Sequence, residues 1–126
     1  MPTVEHMRDV VARYTAAHSA GDVDAVAALF ATDAVVADPV DAPEHVGWEA
    51  VRNFFAGTHQ MCDSMELVAT GAVRAVGNWA AVPLKAVTKI GDLQLQVEII
   101  YVFTFGEDGL ISDMRAYWTA DDIRPV

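Results

Sequence analysis

The chain has 126 residues, enough for one domain with a buried core, and its 53% hydrophobic against 21% charged content excludes disorder. Eighteen acidic against eight basic residues give a net charge of −10, which argues against nucleic acid or an anionic membrane surface as a partner. No apolar run reaches the ~20 residues of a membrane span, the opening MPTVEHMRDV does not read as a secretory leader, and the single cysteine, Cys62, leaves no internal disulfide, so the cytoplasm is the expected compartment.

Residues 1–126 read as a single domain without repeat or linker. Thr3 is placed to cap a first helix running to about Ala20, with Met7, Val10, Val11, Tyr14 and Ala17 along one apolar face. Tyr14 therefore points inward. Gly21 ends this helix, and Asp22 can cap a second one over 23–30, burying Val26, Leu29 and Phe30. A short β-branched strand follows from Asp33 to Asp38, with Val36 and Asp38 on one face. Pro39, Pro43 and Gly47 mark a loop, and the Asp38-Pro39 bond is a place where a cis peptide would aim the carboxylate inward. A third helix is expected from about Trp48 to Thr58, with Val51, Phe54 and Phe55 beside Trp48 on one side.

Beyond Asp63 the period changes to two. Strands are expected over 65–76, 79–89, 93–105 and 110–119, separated by turns at Gly77-Asn78, Gly91-Asp92 and Glu107-Asp108-Gly109. In the third of these the odd positions, among them Ile99, Tyr101, Phe103 and Phe105, are apolar, while Gln94, Gln96, Glu98 and Thr104 alternate with them. Tyr101 lies on the buried side. In the last strand Met114, Ala116 and Trp118 share a face. Helices first and a meander of strands after them mean α+β, with helices on one face of an antiparallel sheet. A strongly curved sheet of that kind makes a cone whose mouth holds a small molecule.

The chemistry-bearing residues are few. A buried phenol at Tyr14 needs a partner, and a carboxylate at Asp38 in apolar surroundings needs one more. Asp38 is either a turn residue at a strand end or a poised general base. Periodicity alone favours the plainer option, with Tyr14 bonded to a backbone carbonyl and Asp38 capping the Pro39 turn. Tyr101 is a second inward hydroxyl, whose plain reading is an aromatic core residue. Glu98 has the wrong parity to join it. The histidines at 6, 18, 45 and 59 show no metal-ligand spacing, Asp41-Glu44-His45 reads as a solvated loop, and neither a phosphate loop nor a GxSxG elbow is present.

From Glu5-His6-Met7 through Arg13-Tyr14, Ala20-Gly21-Asp22, Ala28-Leu29-Phe30 and Asp33 to Asp38-Pro39-Val40, and again at Met114-Arg115-Ala116-Tyr117-Trp118, the chain resembles the bacterial ketosteroid isomerases (steroid Δ5-isomerases). These lie within the nuclear-transport-factor-2-like superfamily, which also holds SnoaL-type cyclases and dehydratases. The resemblance implies a cone of curved antiparallel sheet with three N-terminal helices, a homodimer packed sheet to sheet, a small hydrophobic steroid-like substrate, and neither cofactor nor metal. It implies Asp38 as the general base, Tyr14 as an oxyanion donor and Trp118 as an aromatic lining the steroid site. Where the family has an aspartic acid as second donor this chain has Tyr101, and where it often has a supporting tyrosine this chain has Phe55. Phe55, Phe103, Val82, Leu84 and Met114 are expected to join Trp118 around the substrate. The implied activity moves the double bond of a 3-oxo-Δ5 steroid into conjugation. The alternatives are a steroid- or polycycle-binding protein with little activity, and a polyketide cyclase or dehydratase. A dehydratase would be expected to use an inward histidine–aspartate pair, for which His18 is the sole candidate and lies off the apolar face.

Overall fold

A computed structural model describes residues 2–126 of the chain. The elements follow the expected order. Helix α1 spans Val4–Ser19, α2 Val23–Ala27 and α3 Trp48–Gln60. The strands are β1 (Phe30–Ala37), β2 (His45–Val46), β3 (Ser64–Ala69), β4 (Arg74–Val76), β5 (Trp79–Ile90), β6 (Leu93–Phe105), β7 (Ile111–Tyr117) and β8 (Ile123–Pro125). Thr3 caps α1 by accepting from the His6 amide at 3.0 Å, and Asp22 caps α2 through the Ala25 amide at 3.1 Å.

The strands form one curved, open sheet in the order β2-β1-β7-β6-β5-β3, with β4 added to β5 and β8 to β6. It is mixed rather than wholly antiparallel, because β1 and β7 run parallel, with Val36 opposite Met114. Parallel neighbours need a long crossover, and the chain from 38 to 110, including α3, supplies one. The helices pack on the concave face. The core there joins Met7, Val11 and Tyr14 of α1, Val51 and Phe55 of α3, and the inward rows of β5, β6 and β7.

Several boundaries differ from expectation, and the stretch expected as a loop holds the two-residue strand β2. Helix α2 stops at Ala27, and Phe30 opens β1, where Ile111 of β7 pairs with it. The expected 65–76 strand breaks into β3 and β4 around Gly71. A Cβ there would lie 2.8 Å from the Pro83 ring, so only glycine lets the chain cross so close to β5. Beyond 119, where no element was expected, the chain makes a 3₁₀ turn over 120–122 and pairs β8 with β6. The Asp38-Pro39 peptide is cis.

Candidate active site

Between α1, α3 and the concave face lies an open-mouthed cavity of about 340 Å³. Its walls are mostly aliphatic and aromatic side chains, and Tyr14, Asp38, Tyr101 and Trp118 bring polar groups to its lining. Each comes from a different element, which is why no local motif announces them. Tyr14 stands on the buried face of α1, Asp38 just beyond β1, Tyr101 on the inward row of β6, and Trp118 just past β7.

Asp38 is held by the indole of Trp118, whose Nε1 donates to Oδ1 at 2.6 Å. That leaves Oδ2 free of this bond. Burial pushes the Asp38 carboxyl above the usual carboxylate range, while the Trp118 and Tyr101 donors and the nearby His45 pull it back. Tyr14 is held in a cage of rings, with His18 at 4.6 Å, Phe103 at 5.5 Å, Tyr101 at 5.6 Å and Phe30 and Phe55 at 6.2 Å between centroids. Burial pushes both phenols well above their ordinary value, and the negative charge of Asp38 adds to this. Both therefore stay protonated at neutral pH and remain donors. Tyr101 is close enough to both Tyr14 and Asp38 to couple the three groups.

Of the residues expected around a substrate, Phe55 and Trp118 line the cavity with Asp38, Tyr14 and Tyr101. Phe103, Val82, Leu84 and Met114 do not. They are almost wholly buried behind the cavity, where the helices press on the sheet, and Phe103 buttresses Tyr14 edge to face. Sharing the inward face of a strand places a side chain in the core but does not bring it to the cavity. The wall instead draws on Ile99 and Val97, which continue the row of Tyr101, and on Phe54, Ala86 and Met65. The parity of β6 alone could have nominated the first two.

His18 is also in the wall, on the same α1 face as Tyr14. It is not paired with an aspartate. Its Nδ1 meets His59 Nε2 at 2.9 Å, with the ring planes 20° apart and centroids separated by 5.1 Å. Those values describe two imidazoles sharing one hydrogen bond edge to edge. Nε2 of His18 is buried without a partner, and burial together with His59 lowers its pKa to about 3. Glu98 is exposed and meets Arg124 at 3.3 Å. Glu44 instead pairs with Arg115 at 2.7 Å, and His45 stacks on Phe54. Among the described residues no three or more His, Cys, Asp or Glu side chains converge on a metal position.

Residues 11–114 match a family described as SnoaL-like domain. Over 117 residues, 93% of either chain, the sequence is 41% identical to a steroid Delta-isomerase of Nocardioides simplex. It is 28% identical over 128 aligned positions to the epoxide hydrolase LasB of Streptomyces lasalocidi, covering 97% of this chain and 44% of that protein. Among solved structures, SalBIII, an epoxide hydrolase/cyclase-like enzyme with a role in pyran ring formation in the polyether salinomycin, aligns with a TM-score of 0.87 at 28% identity over 98% of both chains.

Proposed function

This chain belongs to the SnoaL-like domain family, and we propose that it is a steroid Δ5-isomerase that moves the double bond of a 3-oxo-Δ5 steroid into conjugation with the ketone. The observation that carries the reading is the 41% identity, over nearly the whole length, to a steroid Delta-isomerase. An aspartate, two phenols and an indole in the lining of one apolar cavity support it.

In this reading the Asp38 carboxylate takes a proton from C4, α to the ketone, through Oδ2. Trp118 keeps Oδ1 occupied and the carboxylate plane fixed. The electrons move onto the carbonyl oxygen, which becomes a dienolate bonded by the Tyr14 hydroxyl and by that of Tyr101, whose single O–H turns from Asp38 to the substrate oxygen once the ketone is bound. Asp38 then returns the same proton to C6, so nothing is gained or lost and no cofactor is called for. A short side chain suits the task, since one carboxylate serves both carbons. Each donor in such a water-poor site is worth on the order of 3 kcal/mol to the transition state.

A second copy of the chain would pack on the outer face of the sheet, where Ile100 and Tyr117 stand paired and half exposed. No described helix is long and apolar enough to cross a membrane. With one cysteine there is no internal disulfide to call for an oxidising compartment, so we place the enzyme in the cytoplasm.

The test is spectroscopic. Mixing the protein with 5-androstene-3,17-dione should produce the ultraviolet absorbance of a conjugated enone, and Asp38→Asn should abolish nearly all of it. Absence of that absorbance at high enzyme concentration would discard the isomerase reading, and tight binding of a phenolic steroid without turnover would point to a binding protein.

A further inference from the structure

The inward row of β6 opens steadily away from the polar groups. Tyr101 and Ile99 are 5% and 8% exposed, Val97 and Leu95 are partly buried, and Leu93 is 48% exposed. Strand β5 repeats the gradient, from Ala86 at 6% to Ile90 at 45%, and Ile90 pairs with Leu93 across the hairpin. Met61, just past the end of α3, is 77% exposed. Met61 and Ile90 belong to the cavity wall, so the cavity runs out onto an apolar rim.

The rim is fastened. The Asp63 amide donates to the Lys89 carbonyl at 2.7 Å, and its carboxylate accepts from the Gly91 amide at 2.7 Å. The segment after α3 and the β5–β6 hairpin are therefore joined beside the mouth. Large apolar side chains gathered at a cavity mouth in so acidic a chain call for an occupant.

Length suggests which one. Eight residues separate Tyr101 from Leu93, roughly 27 Å of strand at ~3.4 Å per residue. Four fused carbocycles extend roughly 10 Å at ordinary C–C bond lengths. A ring system bonded at Tyr101 therefore ends near Val97, and the apolar row continues past it through Leu95 to Leu93.

We propose that this rim binds an aliphatic side chain on the far end of the substrate, so that the favoured substrates are sterol-like 3-oxo-Δ5 ketones that keep a hydrocarbon tail. This rests on the isomerase reading and adds the substrate class. The ring system sits in the cavity and the tail lies along Leu95, Leu93 and Ile90, under Met61. A second copy of the chain or a membrane surface would cover the rim without regard to the substrate's tail.

The experiment compares kcat/KM for 5-cholesten-3-one and 5-androsten-3-one, which share the reacting rings and differ mainly in the tail, in wild type and in Leu93→Glu. Position 93 is exposed, so the variant should fold. The wild type should use the tailed ketone at least as well as the bare one, and Leu93→Glu should lower the ratio of the two about tenfold. A wild type that rejects the tailed ketone, or a ratio untouched by Leu93→Glu, would overturn the proposal. Dissociation constants of the two ketones, read from tryptophan fluorescence with the Asp38→Asn protein, must show the same ratio and the same sensitivity. Loss of turnover on both ketones with the binding ratio intact would sink the isomerase reading alone.

Discussion

At the scale of single residues, the site turns on how one carboxylate is kept both basic and ionised. Burial raises the Asp38 pKa, and the Trp118 indole is the strongest influence holding it down. The acid limb of kcat/KM should therefore lie above the ordinary aspartate value of about 3.9. Trp118→Phe removes a donor to the ionised form, so the limb should move to still higher pH, as a pH–rate profile would reveal; an unmoved limb would mean the indole is mere packing. No alkaline limb from the phenols should appear below about pH 10, since both are pushed upward. Tyr14→Phe and Tyr101→Phe should each cost roughly 10²-fold in kcat with little change in KM. If Tyr101→Phe is silent, that ring only fills space. Periodicity placed Tyr14 and Tyr101 inward, because phase along a helix or strand decides which way a side chain faces; for Asp38 it favoured a turn residue, and only the family resemblance pointed to an inward base. Periodicity could not tell cavity wall from core, and so misplaced Val82, Leu84, Phe103 and Met114. That distinction depends on where helices touch the sheet, which is a property of the assembled layers.

At the scale of elements, the strands beyond Asp63 were legible because one face is apolar and the turns carry glycine at positive φ, as at Gly77, Gly91 and Gly109. The end of α2 was not legible. Phe30 is apolar and fits a helix face and a strand equally well, and its partner Ile111 lies far along the chain. The bond between α1 and β3 was equally hidden. The Ser19 hydroxyl accepts from the Leu67 amide at 3.0 Å and donates to its carbonyl at 3.4 Å. Leu67 is buried and β3 is an edge strand, so this hydroxyl does for β3 what a further strand would otherwise do. Ser19→Ala should lower the unfolding free energy by about 1–3 kcal/mol, the cost of leaving buried backbone groups unpaired. Urea denaturation followed by far-ultraviolet circular dichroism would measure it, and a loss under a few tenths of a kcal/mol would show that water replaces the hydroxyl.

At the scale of the whole molecule, two buried titratable groups pull stability in opposite directions with pH. The Asp38 pKa is raised on folding, so its contribution is fully present below the ordinary carboxylate range and is lost as pH rises through the folded value. Asp38→Asn should therefore stabilise the protein at neutral pH, by about 1 kcal/mol as for other relieved functional residues, with the gain fading in acid. His18 works the other way. Its folded pKa is about 3 against an ordinary 6.5, because the ring is buried and its one polar partner is another imidazole. Between those values the unfolded chain takes up a proton that the folded chain refuses, so stability must fall as pH falls. One such site contributes a slope of up to about 1.4 kcal/mol per pH unit. His18→Leu removes the titration and also the partnerless Nε2, at the expense of the bond to His59. Urea midpoints measured from pH 7 to pH 4 should then drop steeply for the wild type and more gently for His18→Leu. The two curves should converge or cross at the acid end, and a variant curve parallel to the wild type would place the acid sensitivity on other groups.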